Sequence, residues 1–506
     1  MGAFLLFYNL DGRLLWGDEA ETALLARNIT RFGLPRTDDG RNVITLYGPA
    51  VDGNAAGLWI WSPWLQEYVA AASFSLFGPS TWSARIPFVV IGFLSGVYLA
   101  FLTQRIYRNL ALTCVATYLW FTSQLFLLHA RQCRYYTIIV LAQLILAHGI
   151  YLMLAQKKRG IWLVALALVV QFYSNYIIVA ANVPVLACLA LIWRKRHPKL
   201  LGWMAAAGGM FALLVVPWLL YAKSLNQSHH FQTTMYWLDV GYYLSEVNSC
   251  VLPLVFLLLP LGAFLLRLQR ATETNRLPAR TLPADEITAR WEWALLLFVP
   301  SFLLVVPLAP TVQVRYLLPL APLLTILLVV WFFRYIPNVA AVILLALVLS
   351  MHNGASLLSG WMLPGGSEPR WRLINYVQSI TTPYHDRTEG VVAFLKQAAR
   401  PDQTVLVADP EFPLQFYLPV KILNILLPMK PLDRLPDWVL PESASSVSPL
   451  ETVEVRREVR DQYEPIRIRV PCSNRGGSVP GWDDYEFFTA PKNYDLIIYK
   501  RKAAVR

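Results

Sequence analysis

The chain has 506 residues, of which 56% are apolar or aromatic and only 15% charged, with a mean hydropathy of +0.44; soluble domains carry about 25% charged residues. Such a composition excludes a soluble protein over most of the length and indicates an integral membrane protein. The net charge of +12 would suggest nucleic acid in a soluble chain, but here the basic residues must first be sorted by side of the bilayer, and that sorting removes the nucleic-acid reading.

Residues 2–10 are apolar but cover less than half a bilayer at about 1.5 Å per residue. They read as a truncated first span, since no basic start or small-residue cleavage site marks a signal peptide. Residues 11–84 read as a large loop between spans. In it, Trp16-Gly17-Asp18-Glu19-Ala20-Glu21 runs into Thr22-Ala23-Leu24-Leu25-Ala26-Arg27-Asn28-Ile29, a stretch dominated by helix formers. Asp18 stands where an N-cap would, with Glu21 three residues on in the capping-box pattern. Carboxylates at a helix start gain from its dipole, whereas an acidic pair at the lipid boundary is costly unless paired or used. Spacing leaves both readings of Asp18 and Glu19 open. Further on, Trp59, Trp61, Trp64 and Tyr68 combine with an apolar helix over 64–77, which predicts an interfacial helix.

Runs near 86–104, 110–128, 135–156, 161–174, 176–193, 200–221, 247–266, 291–309, 317–333 and 337–357 approach the length needed to span a bilayer. With the partial first helix they predict about 11 spans. The stretch 161–193 is too long for one span and should turn at Tyr173-Ser174-Asn175-Tyr176. Alternate connections then hold 15 of the 25 Lys and Arg residues of positions 1–359, among them Arg105, Arg108, Lys157, Lys158, Arg159, Arg194, Lys195 and Arg334. The positive-inside rule puts those connections in the cytoplasm, so 11–84, the loops near 129–134, 222–246 and 310–316, and the C-terminal tail should face outward.

Arg131, Arg134 and Arg315 lie at outward helix ends. A guanidinium fork suits phosphate oxygens, and the same groups could hold lipid headgroups; residue type leaves these two readings open, and Tyr135, Tyr136 and Tyr316 fit an interfacial belt on either. His229-His230 in the 222–246 loop, together with Glu19, are the weak candidates for a metal. Five cysteines without paired spacing predict neither a disulfide framework nor a zinc motif.

From Gly360 on, the balance changes to 19 basic against 18 acidic residues, the mark of a separate soluble domain over 360–506. After a linker at 363–367, a helix over 388–399 and strands at 403–408, 420–426, 452–459, 466–470 and 494–499 predict a small α/β layer, with a surface loop over 430–450. No phosphate-binding glycine loop or nucleophile elbow occurs in it, so covering the site or holding an acceptor is its expected role.

The Trp16–Ile29 stretch, followed by Pro63-Trp64-Leu65-Gln66-Glu67-Tyr68, Trp82-Ser83-Ala84-Arg85-Ile86-Pro87 and the late Arg315-Tyr316-Leu317-Leu318-Pro319, resembles the GT-C class of membrane glycosyltransferases. More narrowly it resembles the bacterial branch related to dolichyl-phosphate-mannose protein mannosyltransferases and to the lipid A aminoarabinose transferase. The resemblance implies a GT-C-like polytopic α-helical membrane protein of the cell inner membrane, with an extracytoplasmic C-terminal α/β domain. It also implies an inverting transfer from a polyprenyl-phosphate-sugar donor to a lipid, glycan or protein acceptor on the outer face. On that resemblance Asp18 is the general base, with Glu19 its partner or alternative, and Arg131, Arg134, Arg315 and Tyr316 bind the donor phosphate. It leaves a divalent metal ion open as a cofactor. A transporter or flippase of a lipid-linked sugar would show ionisable residues at mid-membrane and repeated halves, and a noncatalytic scaffold would not need Asp18.

Overall fold

A computed structural model describes residues 1–46, 48–195, 197–222, 235–262, 285–309, 311–360, 372–383, 385–407, 411–424, 435–440, 461–472 and 492–502. They divide into two compact units, one of residues 1–6, 88–131 and 135–374, the other of 7–87, 132–134 and 375–506.

In the first unit, the long apolar runs became helices for the reason they were predicted: backbone groups in hydrocarbon must be satisfied within their own segment. Among the described residues, five helices are long and apolar enough to cross a membrane, namely Thr81–Tyr107 (in this unit from Phe88 on), Tyr136–Leu154, Tyr176–Trp193, Pro198–Ala222 and Glu286–Leu308; two bent pairs bring the number to as many as seven. The expected eleven are therefore not all seen as full spans, and local chemistry explains the difference. The run 110–128 is bent by 56° between Leu110–Phe121 and Gln124–Ala130, where the Thr122 hydroxyl bonds back to Tyr118 O and Ser123 Oγ accepts from Phe126 N–H. Within the described part of the run 247–266, the helices Tyr236–Val251 and Leu254–Gly262 meet at 87° beside Pro253, which has no N–H to continue a helix. Arg159–Phe172, Leu320–Tyr335 and Val339–Met351 are apolar but shorter; nearly all of Leu320–Tyr335 is buried in protein, which is why it is apolar all round. The predicted turn in 161–193 is present: one helix stops at Phe172, and the Asn175 side chain caps the next by accepting from Ile177 N–H at 3.0 Å.

Two polar knots tie this unit together. Gln143, Gln171 and Asn182, from three apolar helices, bond one another: Gln171 Nε2 donates to Gln143 Oε1 at 2.7 Å, and Asn182 Nδ2 to Gln143 Oε1 at 3.0 Å and Gln171 Oε1 at 2.8 Å. Elsewhere Arg334 grips both oxygens of Glu292 at 2.8 Å, and the Tyr107 hydroxyl donates to the same carboxylate at 3.0 Å.

The second unit contains a five-stranded sheet of β1 (Thr404–Val407), β2 (Lys421–Asn424), β3 (Trp438–Leu440), β4 (Tyr463–Cys472) and β5 (Lys492–Arg501), ordered β2-β1-β3-β5-β4. β1 pairs parallel with β2 and β3, while β5 runs antiparallel to β3 and β4. The α/β expectation thus acquires a mixed sheet. Helix Arg387–Ala398, capped by Asp386, presents Val391, Val392 and Leu395 to Val405, Val407, Ile422, Trp438 and Ile498. β3 corrects the surface loop expected over 430–450: Trp438, Val439 and Leu440 are buried at the sheet centre. Three residues are too few for alternation to register, and Pro436 and Pro441 mask the strand as loop. The strand expected over 452–459 and the linker at 363–367 lie outside the described residues.

The same unit holds the loop 11–84. Its helices Gly17–Phe32 and Leu65–Phe77 pack on each other, and Gly17–Phe32 also packs on Phe412–Tyr417. The Tyr417 hydroxyl accepts from Leu15 N–H at 2.9 Å and bonds Thr81 Oγ1 at 2.7 Å, and Arg13 reaches Ser379 O at 3.1 Å.

Candidate active site

Helix Gly17–Phe32 carries three carboxylates in its first turns, and the structure gives each a different environment. The helix starts two residues earlier than expected. Its N-cap is Trp16, so Asp18 already lies inside the first turn, and Glu19 makes the reach-back bond, Oε2 accepting Trp16 N–H at 3.4 Å. This corrects the capping pair Asp18 and Glu21.

Glu19 is fully buried and fully used. Arg85 Nε donates to its Oε1 at 2.9 Å and Arg85 Nη2 to its Oε2 at 2.6 Å, while Cys133 N–H donates to Oε1 at 2.7 Å. Arg85 spends its remaining donors on the carbonyls of Leu10 and Arg13 (2.7 and 2.9 Å) and Leu14 (3.0 Å). Every N–H of the guanidinium is satisfied. The pair is a clamp that fixes residues 10–14 against the start of the Asp18 helix.

Arg134 organises the other two. Its Nη1 donates to the Asp18 carbonyl at 3.1 Å, to Glu21 Oε1 at 3.1 Å and to Thr22 Oγ1 at 3.0 Å, and its Nη2 lies 3.5 Å from Asp18 Oδ2. Burial differs sharply: the Asp18 side chain is 28% exposed and that of Glu21 6%. Desolvation pushes the Glu21 carboxyl up to about 7 against the pull of Arg134, with Asp18 adding to the rise.

Glu67, from the facing helix Leu65–Phe77, is wholly buried; Gln66 Nε2 donates to its Oε1 at 2.9 Å, and its Oε2 has no hydrogen-bond partner among the described residues. Burial lifts its carboxyl to about 8. The unfolded group ionises near 4.5, so its contribution to stability is fully present below that pH and declines as pH rises to about 8, by up to about 1.4 kcal/mol per pH unit. Glu67→Gln, an isostere of the protonated acid, should therefore keep the fold and shrink the fall in thermal unfolding midpoint between pH 5.5 and 8; an unchanged fall would show that Glu67 does not cause it.

The remaining sequence-predicted residues belong to the first unit. Arg315 Nη1 donates to the Tyr136 hydroxyl at 2.9 Å and stands 6.0 Å from the Tyr316 ring centroid; the Tyr136 ring meets His129 edge-on at 4.9 Å and Tyr135 at 4.8 Å. Arg131 is the C-cap of Gln124–Ala130. The structure thus brings Asp18, Glu19 and Arg134 together in one unit, and Arg315 and Tyr316 together in the other. Of the weak metal candidates, His229 and His230 lie outside the described residues, and Glu19 already accepts from Arg85 and two backbone amides. Among the described residues, no group of three or more His, Cys, Asp or Glu is placed to hold a metal ion.

No protein-family model matches the chain, and no curated protein does. Among solved structures, ArnT from Cupriavidus metallidurans in the apo state aligns with 83% of this chain and 83% of its own, with a TM-score of 0.54 at 15% identity. The chain has the fold of ArnT. A structure of ArnT from the same organism bound to undecaprenyl phosphate aligns over 84% of both chains, with a TM-score of 0.48 at 15% identity. ArnT is the lipid A aminoarabinose transferase, a GT-C glycosyltransferase, so the resemblance drawn from Trp16–Ile29 and the late Arg-Tyr-Leu-Leu-Pro segment is matched at the level of fold. The ArnT likeness covers more residues than the helical unit contains, and so takes in part of the unit holding Asp18 as well.

Residue reading missed the roles of Arg85 and Glu67, although both lie in the quoted motifs. A signal for Arg85 existed, since a charge at the head of a long apolar helix requires a partner. Glu67 had none, because alternation of apolar and polar residues is equally consistent with a solvated face.

Proposed function

We propose that the chain is a membrane glycosyltransferase that moves a sugar from a polyprenyl-phosphate-linked donor to an acceptor hydroxyl on the outer face, with inversion. The observation that carries this reading is the state of Asp18. Of the three clustered carboxylates it alone combines an accessible side chain with a fixed cationic neighbour, Arg134. A base must reach the proton it removes, and Glu19 and Glu21 are too enclosed to do so.

In this mechanism the acceptor oxygen attacks the anomeric carbon while Asp18 takes its proton. The bond from that carbon to the phosphate oxygen breaks, and one displacement inverts the centre. Negative charge grows on the departing polyprenyl phosphate, where arginine donors are most effective. Arg131, Arg315 and Tyr316 are assigned to that phosphate. Arg134, committed to Asp18 and Glu21, is assigned instead to positioning the base, and Glu19 with Arg85 to fixing the helix start. The donor set around Glu19, whose oxygens already accept from Arg85 and the amides of Trp16 and Cys133, does not suit a metal.

The test is transfer of radiolabelled sugar from a panel of polyprenyl-phosphate donors into membranes with and without the chain. Labelled product should form only where the chain is present, and its analysis names the acceptor class. Equal labelling in both membranes across the panel would remove the enzyme reading. With an active donor in hand, Arg315→Gln should raise its KM about tenfold or more, the worth of one charged hydrogen bond; an unchanged KM would take Arg315 out of the donor site.

A further inference from the structure

Away from Asp18, the second unit contains a cleft of about 520 Å³ between the later turns of Gly17–Phe32, residues 39–42 and residues 415–419. That volume is in the range of small-molecule sites. Arg27, Arg31 and Arg41 line it, with Asp39 the one acidic side chain of the lining.

Two of the arginines are held mainly by groups that orient without neutralising. Arg27 donates to the carbonyls of Gln415 and Phe416, both at 3.4 Å, and pairs with Asp39 at 3.2 Å; Arg41 donates to Pro419 O at 2.6 Å. Asp39 is further occupied by the N–H groups of Arg41 and Asn42 at 2.9 and 2.7 Å. Arg31 is exposed and has no hydrogen bond or ion pair among the described residues. Three guanidinium groups thus face one carboxylate. Burial lowers the Arg27 pKa, and both Arg31 and Arg41 push it the same way, so the three charges share one field.

Two buried atoms narrow the ligand. Arg27 Nε is a donor, and Gln415 Oε1, on a side chain that is 3% exposed, is an acceptor; neither has a partner among the described residues. An anion answers the donor and the excess charge, whereas the acceptor requires a hydroxyl or amine. The geometry points to a binding site for a phosphorylated sugar, its phosphate on Arg27, Arg31 and Arg41 and a hydroxyl on Gln415. Arg27 and Arg31 lie roughly 14 and 20 Å along the helix from Asp18. If the reading of Asp18 as base holds, an acceptor glycan would carry its phosphate and its attacking hydroxyl on different sugars.

The test is calorimetric titration of the full chain in phosphatidylcholine nanodiscs with glucose 6-phosphate, glucose and inorganic phosphate. Glucose 6-phosphate should bind at least tenfold more tightly than either of the others, and more weakly as salt rises. Arg31→Gln/Arg41→Gln should weaken it at least tenfold, and Arg31→Gln alone, at a side chain with no partner to lose, should weaken it with no change in unfolding midpoint. Equal binding of glucose, or undiminished binding in both variants, would overturn the site. Displacement by phosphatidylglycerol added to the disc would overturn the sugar assignment and give the site to lipid headgroups. Asp18→Asn should bind glucose 6-phosphate as the wild type does, so a failure of the transfer reading and a failure of this site are read separately.

Discussion

Asp18→Asn should lower sugar transfer by about 10²–10⁴-fold, the range a positioned general base contributes, with no loss of folded protein. The structure explains why the two effects separate. Arg134 reaches the Asp18 backbone carbonyl, Glu21 and Thr22, none of which the substitution alters, and the Asp18 carboxylate stands 3.5 Å from Nη2. An amide of the same shape keeps the helix start while losing the basic oxygen. In single-turnover assays at saturating donor the defect should appear in the chemical step, with donor KM close to wild type. Wild-type turnover by the variant would exclude Asp18 as the base; a variant that fails to fold would instead place it in the architecture.

Removing one side of the Glu19–Arg85 clamp should be the most damaging change to stability. Arg85→Ala strands a carboxylate that is 0% exposed and releases three backbone carbonyls, and breaking a buried ion pair from one side costs about 3–5 kcal/mol. Glu19→Gln should cost less, since the amide oxygen can still accept from Cys133 N–H. The double variant Glu19→Gln/Arg85→Ala should recover part of the loss, because no buried charge is left alone. The three unfolding midpoints in detergent, taken as a cycle, measure the coupling; additive losses would mean that the two residues act independently. Arg85→Lys should not rescue, as an ammonium cannot serve two carboxylate oxygens and three carbonyls at once.

The fold was legible where physics is local. Apolar runs such as 200–221 and the turn at Tyr173-Ser174-Asn175-Tyr176 need only their own residues to be read, and the resemblance carried by Trp16–Ile29 reached the fold that ArnT shares. What escaped was set by partners distant in sequence. Glu19 and Glu21 look alike as neighbours of Asp18, yet Arg85 claims one and Arg134 the other, 66 and 113 positions away. Tyr417, which anchors Leu15 across 402 positions, gives no sign in its own segment. β3 was hidden by brevity, and the breaks after Phe121 and at Pro253 show that hydropathy reports a segment's solvent rather than its straightness.

The amide knot of Gln143, Gln171 and Asn182 bears on how the protein is made. Each residue sits in an otherwise apolar helix, so a helix entering the bilayer alone brings a polar group that nothing yet answers. Only when all three helices have met are the donors and acceptors matched, in hydrogen bonds worth about 0.6–2 kcal/mol each in a bilayer. Until then each amide is a mark of incomplete assembly that membrane quality control could recognise. The triad would then act during biogenesis as a checkpoint, and loss of one member would show first as accelerated turnover of the newly inserted chain.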